Sequence, residues 1–250
     1  MSDKKHVACC SGGKDSVAAL IIAYEYGEPL DEVIYSEVMF DEQTSGELPE
    51  HREFVHGKLK RYVETVIGVP FTILRSQKTY VDFFRHRITR GQNKGISAGF
   101  PIPGMCAINR DCKIPPIREY LRNQTETVVQ YVGIADDEPE RLERLDGADK
   151  ISLLHKYGKF EKDASRICAA KDLLSPVYNI SSRNGFWFCM NCKDREWEYL
   201  IRNHGNLFDK LIELETECPQ RARTNITRTE TPSQIKARIT GQPTQLTIFD

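Results

Sequence analysis

The sequence has no run of 18 apolar residues, so no segment is expected to form a transmembrane helix. Its opening, MSDKKHVACC, lacks the long apolar stretch and small-residue cleavage site of a secretory leader. These absences set the expectation of a cytoplasmic protein. There is no excess of one charge: 35 Lys and Arg face 36 Asp and Glu, a formal net charge of -1. With 40% hydrophobic and 28% charged residues, the chain is too apolar and too evenly charged to be a disordered acidic or basic tail protein. The balanced total argues neither for nor against nucleic acid, because local patches hide inside it. No internal repeat is visible. None of the 6 histidines belongs to a ligand-like pair. His51 and His56, five apart on an expected helix, do not share a face well and are assigned no chemistry. What the chain does have is length, 250 residues, enough for one large domain or a domain plus an appendage. It also has 8 cysteines. In a reducing compartment these suit free thiols, metal ligands or redox groups better than a disulfide framework.

Short apolar runs alternate with helical patterns over the first half. Strands are expected at 6–10, 33–40, 71–74 and 128–134, and helices at 17–26, 49–66, 79–88 and 117–122. Gly27 closes the first of these helices, Pro49 opens the second, and the Gly/Pro-rich stretch 91–104 reads as loop. This alternation implies βαβ units: an α/β fold with a Rossmann-like parallel sheet and helices on both faces. After Asp136 helical patterns dominate, at 138–145, 160–171 and 196–215, with no further strand signal. Residues 219–241 are polar, hold two prolines and no aromatic residue, and are expected to be a flexible tail. The expected organisation is a nucleotide-binding core over 1–135, a helical part over 136–218 and a tail over 219–250.

The strongest local signal is Ser11-Gly12-Gly13-Lys14-Asp15-Ser16 between a strand and a helix. The Walker A spacing is absent, yet the physics is related. Two glycines allow positive φ and close approach to an anion, and the helix start offers free N–H groups and a positive dipole end. Ser11 and Ser16 add hydroxyls and Lys14 adds charge. Asp15 is expected either to cap the helix or to help hold Mg²⁺. Among the cysteines, Cys189 and Cys192 form a C-x-x-C after an aromatic cluster, and Cys106 and Cys112 lie before a helix. Four thiolates from two segments suit Zn²⁺ or a [4Fe–4S] cluster. The alternative is two loop thiols and a lone redox pair. Cys9, Cys10 and Cys168 are expected as core packing.

Arg85, Arg87, Arg90 and Lys94 lie in a stretch without acids, after Phe83 and Phe84. This is either a positive rim for nucleic acid or another polyanion, or a solvated helix end. Asp41 and Glu42, at the end of the second strand, face the expected ligand crevice or a solvated loop. Lys113 is positioned to contact phosphate. The chain ends Gln245-Leu246-Thr247-Ile248-Phe249-Asp250. Gln245, Leu246, Ile248 and Phe249 resemble the peptide that docks on bacterial sliding clamps; the alternative is a tip that folds back onto the body.

The 11–16 segment resembles the pyrophosphate loop of the adenine nucleotide α-hydrolase (PP-loop ATP pyrophosphatase) superfamily. Within that group the chain is similar to the phosphoadenosine phosphosulfate (PAPS) reductase-like family, including phage-encoded members and the sulfur-inserting ATPase of DNA phosphorothioation. The similarity runs through Phe40-Asp41-Glu42, Glu47-Leu48-Pro49-Glu50, Cys112 to Ile117, Gly133 to Arg141, and Arg183 to Cys192, in the family's order. The resemblance implies binding of ATP with Mg²⁺ by Ser11, Gly12, Gly13, Lys14, Asp15, Ser16, Asp41 and Lys113. Lys14, Asp15 and Ser16 would carry the catalysis. It implies hydrolysis of ATP to AMP and pyrophosphate to adenylylate a substrate for sulfur transfer or nucleic-acid modification, and it implies a cysteine desulfurase as partner. It favours an iron–sulfur cluster over zinc at the four cysteines. Three departures matter: the family's Asp-Thr-Gly site is Asp41-Glu42-Gln43 here, Ala135 stands where the family has arginine, and the cysteine-bearing tail of true PAPS reductases is absent. Sulfonucleotide reduction is therefore the alternative activity. A clamp-tethered adaptor that binds ATP without turnover is the other.

Overall fold

The computed structural model describes residues 4–102, 106–145, 149–182 and 185–241. Its strands are β1 (Lys4–Cys9), β2 (Glu32–Glu37), β3 (Phe71–Arg75), β4 (Ser97–Gly99), β5 (Thr127–Tyr131), β6 (Lys150–Ile151) and β7 (Arg221–Arg223). The chain divides into two interleaved units. The first comprises Met1–Glu37, Glu47–Ser76 and Ile114–Asn184; the second comprises Val38–Gly46, Gln77–Lys113 and Gly185–Asp250. This differs from the sequential plan of core, helical part and tail.

The first unit holds the expected α/β sheet, five strands in the order β3-β2-β1-β5-β6, all parallel. The chain runs outward from β1 through β2 to β3, then returns to place β5 on the other side of β1. That reversal makes the carboxyl ends of β1 and β5 the switch point where open α/β sheets bind ligands. Every residue of β2 is buried, as expected of a strand inside a parallel sheet. The helix after β1, α1 (Lys14–Glu25), is apolar on nearly all sides because Val17 to Ala23 are all buried. It packs against the helices Leu153–Lys156 and Glu161–Ala170. The helix over 49–67 starts at Pro49 as expected, widens into π-helical turns at Phe54–Leu59 and Val63–Ile67, and ends at Gly68 with φ 84°.

The second unit is built on aromatic rings rather than a large sheet. Phe40, Tyr80, Trp187 and Phe188 stack with centroids 4.2 to 5.6 Å apart. A short parallel pair joins β4 to β7. The helical pattern over 196–215 is broken at His204 into Asp194–Asn203 and Gly205–Glu217. The stretch expected as a tail is ordered through 241: it supplies β7 and the helix Pro232–Thr240. Thr231 and Gln234 cap that helix reciprocally, and Ile226 and Ile235 are fully buried. Few apolar residues suffice there because Ile226, Pro232 and Ile235 are buried. β4, β6 and β7 escape sequence reading because two or three residues carry no periodicity. Among the described residues no helix is long and apolar enough to cross a membrane.

Gly133, in the loop after β5, fixes the switch point. A Cβ there would lie 2.5 Å from the backbone nitrogen of Ser16 and 2.7 Å from the carbonyl carbon of Asp15. Both neighbours are backbone and cannot rotate away. Gly133→Ala is expected to destabilise the first unit by about 1–3 kcal/mol, the usual range for overpacking, measured by urea denaturation.

Candidate functional site

At the end of β1 the ladder runs one residue further, the Cys10 N–H donating to the Ile34 carbonyl at 2.9 Å. The chain then turns through Gly12 at φ 74°. A side chain here is excluded twice. The conformation is left-handed, and a Cβ would meet Val55 at 2.5 Å and the His51 ring at 2.8 Å. Gly13 is extended (φ -75°, ψ 155°) and caps α1, which starts at Lys14. Asp15, expected as a possible cap, lies inside the first turn instead.

The loop is organised around the Ser16 hydroxyl. It accepts the Ser11 N–H at 3.1 Å, lies 3.2 Å from the Ser11 hydroxyl, donates to the Gly13 carbonyl at 2.9 Å and accepts from the Cys10 thiol at 3.5 Å. The two glycine amides have weak contacts. Gly12 N–H reaches Cys10 Sγ at 3.4 Å, and Gly13 N–H reaches Ser11 Oγ at 3.3 Å. Sulfur is a weak acceptor, and 3.3 Å is long for an N–H···O bond, so both amides are weakly held. Cys10 is therefore part of the loop's polar network as well as core packing.

A buried support stands behind the loop. His51 is fully buried, with Nδ1 2.8 Å from Ser175 Oγ and Nε2 3.2 Å from the Ser11 carbonyl. A carbonyl only accepts, so Nε2 carries the proton and Nδ1 accepts from Ser175. Ser175 Oγ in turn accepts the Val177 N–H at 3.4 Å. Three residues on, the Tyr178 hydroxyl accepts the Lys14 N–H at 2.9 Å. The segment 175–178 thus holds the loop on both sides of its glycines. Sequence reasoning tested His51 only against His56 and assigned it nothing. The available signal was its place on the apolar stripe of Phe54, Val55 and Leu59.

Lys14 Nζ lies 3.0 Å from Asp15 and 2.7 Å from Glu161. Burial lowers the Lys14 pKa, but the hydrogen bonds to Glu161 and Asp15 outweigh it and the net shift is upward. The Asp15 carboxyl is raised, chiefly by burial and further by Glu161 and Glu138, against the opposing pull of Lys14. The Cys168 thiol donates to the Lys14 carbonyl at 3.2 Å, and burial pushes it up to about 12.

The other expected site residues belong to the second unit. Asp41 accepts the amides of Gln43 at 2.9 Å and Thr44 at 2.6 Å, and pairs with Lys210 at 2.9 Å. Burial pushes its carboxyl up, but these partners prevail and hold it at about 2. Lys113 Nζ lies 5.6 Å from the centre of the Phe186 ring. All four candidate metal cysteines are in this unit: Cys106 exposed, Cys112 buried, Cys189 and Cys192 half-buried. Cys112 donates to the Thr79 carbonyl at 3.7 Å, and burial pushes it up to about 11. Among the described residues no three His, Cys, Asp or Glu side chains converge to hold a metal ion. Cys106 nevertheless lies within electrostatic reach of both Cys189 and Cys112. Arg85 pairs with Glu217, and the Arg87 guanidinium donates to the Gly95 carbonyl at 2.6 Å, while Arg90 and Lys94 are exposed. Gln245, Leu246, Ile248 and Phe249 lie outside the described residues.

The lowered Asp41 carboxyl gives a signed expectation. Its folded-state value of about 2 lies below the ordinary 3.8, so the stabilisation is complete above about pH 4 and is lost as pH falls through 2. Asp41→Asn is expected to cost about 1–2 kcal/mol at pH 7, with the gap from wild type closing toward pH 2 in thermal melts.

No protein-family model and no curated protein matches the sequence. Among solved structures the chain is similar to the U34-tRNA thiolase NcsA from Methanococcus maripaludis with its [4Fe-4S] cluster. The identity is 13% and the TM-score 0.43, over 100% of this chain and 83% of that one. Similarity at this level assigns no activity.

Proposed function

We propose that the chain is a PP-loop ATP pyrophosphatase. It binds ATP on residues 11–16, cleaves between the α and β phosphates, and passes the adenylyl group to an acceptor for sulfur transfer or nucleic-acid modification. The observation that carries this reading is the strand–loop–helix at the switch point, with Gly12 forced by geometry and the Ser16 hydroxyl as hub. The leaving group is pyrophosphate, so the protein's task is to stabilise developing negative charge. The first-turn amides of α1 point along the helix axis without intrahelical acceptors. The weak Gly12 and Gly13 contacts exchange readily for phosphate oxygens, which are stronger acceptors. Lys14 exchanges Glu161 for a phosphate oxygen and keeps its charge. Asp15, released from Lys14, is the carboxylate at hand for Mg²⁺, which when bound supplies charge neutralisation on the pyrophosphate. The acceptor nucleophile attacks the α phosphorus, the bond to the bridging oxygen breaks, and pyrophosphate leaves with that electron pair. With water as nucleophile the products are AMP and pyrophosphate.

Incubation with Mg-ATP followed by product chromatography is expected to give AMP and pyrophosphate. Lys14→Ala is expected to lose roughly 100-fold or more in turnover, the scale seen when one donor to a developing oxyanion is removed. ADP and phosphate as products, or no turnover with any acceptor tried, rejects the proposal.

A further inference from the structure

The second unit contains a cavity of about 620 Å³, within the usual range of about 300–1,000 Å³ for ligand pockets. Phe83, Ile88, Phe100 and Ile102 supply its apolar walls, with Arg223 among them and Arg110 paired with Asp111 at 2.7 Å. Among the described residues no carboxylate lines it. The face of Phe100 is already covered, by the Arg221 guanidinium at 5.8 Å and by Phe84 edge-on at 4.8 Å. Phe83 is half-buried, and Ile102 is 41% exposed.

One wall is a built hairpin rather than a loose loop. Ile88 N–H donates to the Ile96 carbonyl at 3.0 Å, Gly95 N–H to the Ile88 carbonyl at 2.9 Å, and Ala98 N–H to the His86 carbonyl at 2.8 Å. The Arg87 guanidinium closes the ring on the Gly95 carbonyl. Residues 85–96 contain no acid, and the hairpin tip presents Arg90 and Lys94 to solvent. The opposite wall is held by the close approach of β4 to β7. Gly99 has φ 77°, and a Cβ there would lie 2.3 Å from the Arg223 carbonyl oxygen. The backbone that carries the cavity's walls is therefore fixed by the hairpin and by the β4–β7 approach.

We infer that this cavity receives one unstacked base of a single-stranded nucleic acid, whose phosphates follow the basic hairpin. The exposed cations Arg90 and Lys94 lie along the hairpin tip, apart from Arg223 at the cavity, and this spacing suits a chain of phosphates better than one compact anion. A flat base supplies the apolar face that Phe83 and Ile102 can cover. A base inside a duplex cannot reach such a cavity without leaving the stack. This deepens the proposed function by naming the acceptor class, and it rests on that reading for its link to turnover; the binding itself requires no ATP.

The test is fluorescence anisotropy with the full-length protein, without ATP, using labelled single-stranded DNA and RNA oligonucleotides, the matching duplexes, and a mononucleotide as competitor. Wild type is expected to prefer a single strand, with strong salt dependence. The double variant Arg90→Glu/Lys94→Glu, exposed and outside the pyrophosphate loop, is expected to weaken binding by at least about tenfold. It should also reduce the log–log salt slope by about 0.7 per lost phosphate contact. Phe83→Ala is expected to weaken single-strand binding about tenfold by loss of the stacking face. Circular dichroism confirms that each variant folds. The inference is overturned by absence of binding, by preference for duplex, by equal competition from the mononucleotide, or by binding that survives either variant. Product chromatography with ATP, alone and with each acceptor tried, separates the two proposals. Binding without AMP formation overturns the pyrophosphatase reading and leaves this one standing; AMP formation without binding does the reverse.

Discussion

The hydroxyl of Ser16 is the joint on which the candidate site depends. One oxygen, placed on the first turn of α1, holds the Ser11 amide and the Gly13 carbonyl, and so spans both glycines. Without it, a left-handed Gly12 followed by an extended Gly13 would have little to fix its path. A side chain at Gly12 or at Gly133 would collide with the structure around this joint. The helix start, the loop and the return strand therefore define one another.

Behind that joint stands a chain of neutral hydrogen bonds from Val177 through Ser175 and His51 to the Ser11 carbonyl. A fully buried imidazole is tolerable because both nitrogens are satisfied. The direction of each bond follows from the carbonyl at the end. The arrangement leaves the charged groups, Lys14, Asp15 and Glu161, at the outer edge of the loop. Glu161 is the most exposed of these side chains, at 58%, so exchanging it for a phosphate disturbs little that is buried.

Much of this was legible in the sequence for physical reasons. Short apolar runs such as Val33 to Tyr35 mark the buried strands even where Glu32 and Glu37 are buried beside them, a Gly-Gly pair before an apolar helix has few uses, and Pro49 and Gly68 bracket a helix. The rest was hidden because its causes are tertiary. Nothing local marks His51 as a partner of Ser175, which is 124 positions away. Asp41 looked like a ligand from its place after β2, yet its carboxylate is taken by Lys210 and two nearby amides. The stretch 219–241 looked loose because composition weighs polarity and not capping. Thr231 with Gln234, and two well-placed isoleucines, order it.

The interleaving of the two units has a consequence for how the chain is made and cut. The backbone passes from one unit to the other at 37/38, 46/47, 76/77, 113/114 and 184/185. No single proteolytic cut can release either unit intact. During synthesis every segment of the first unit has emerged by residue 184. Phe40 and Tyr80 must wait for Trp187 and Phe188 before their ring stack can close. The order of emergence from the ribosome thus gives the parallel sheet a head start over the aromatic cluster.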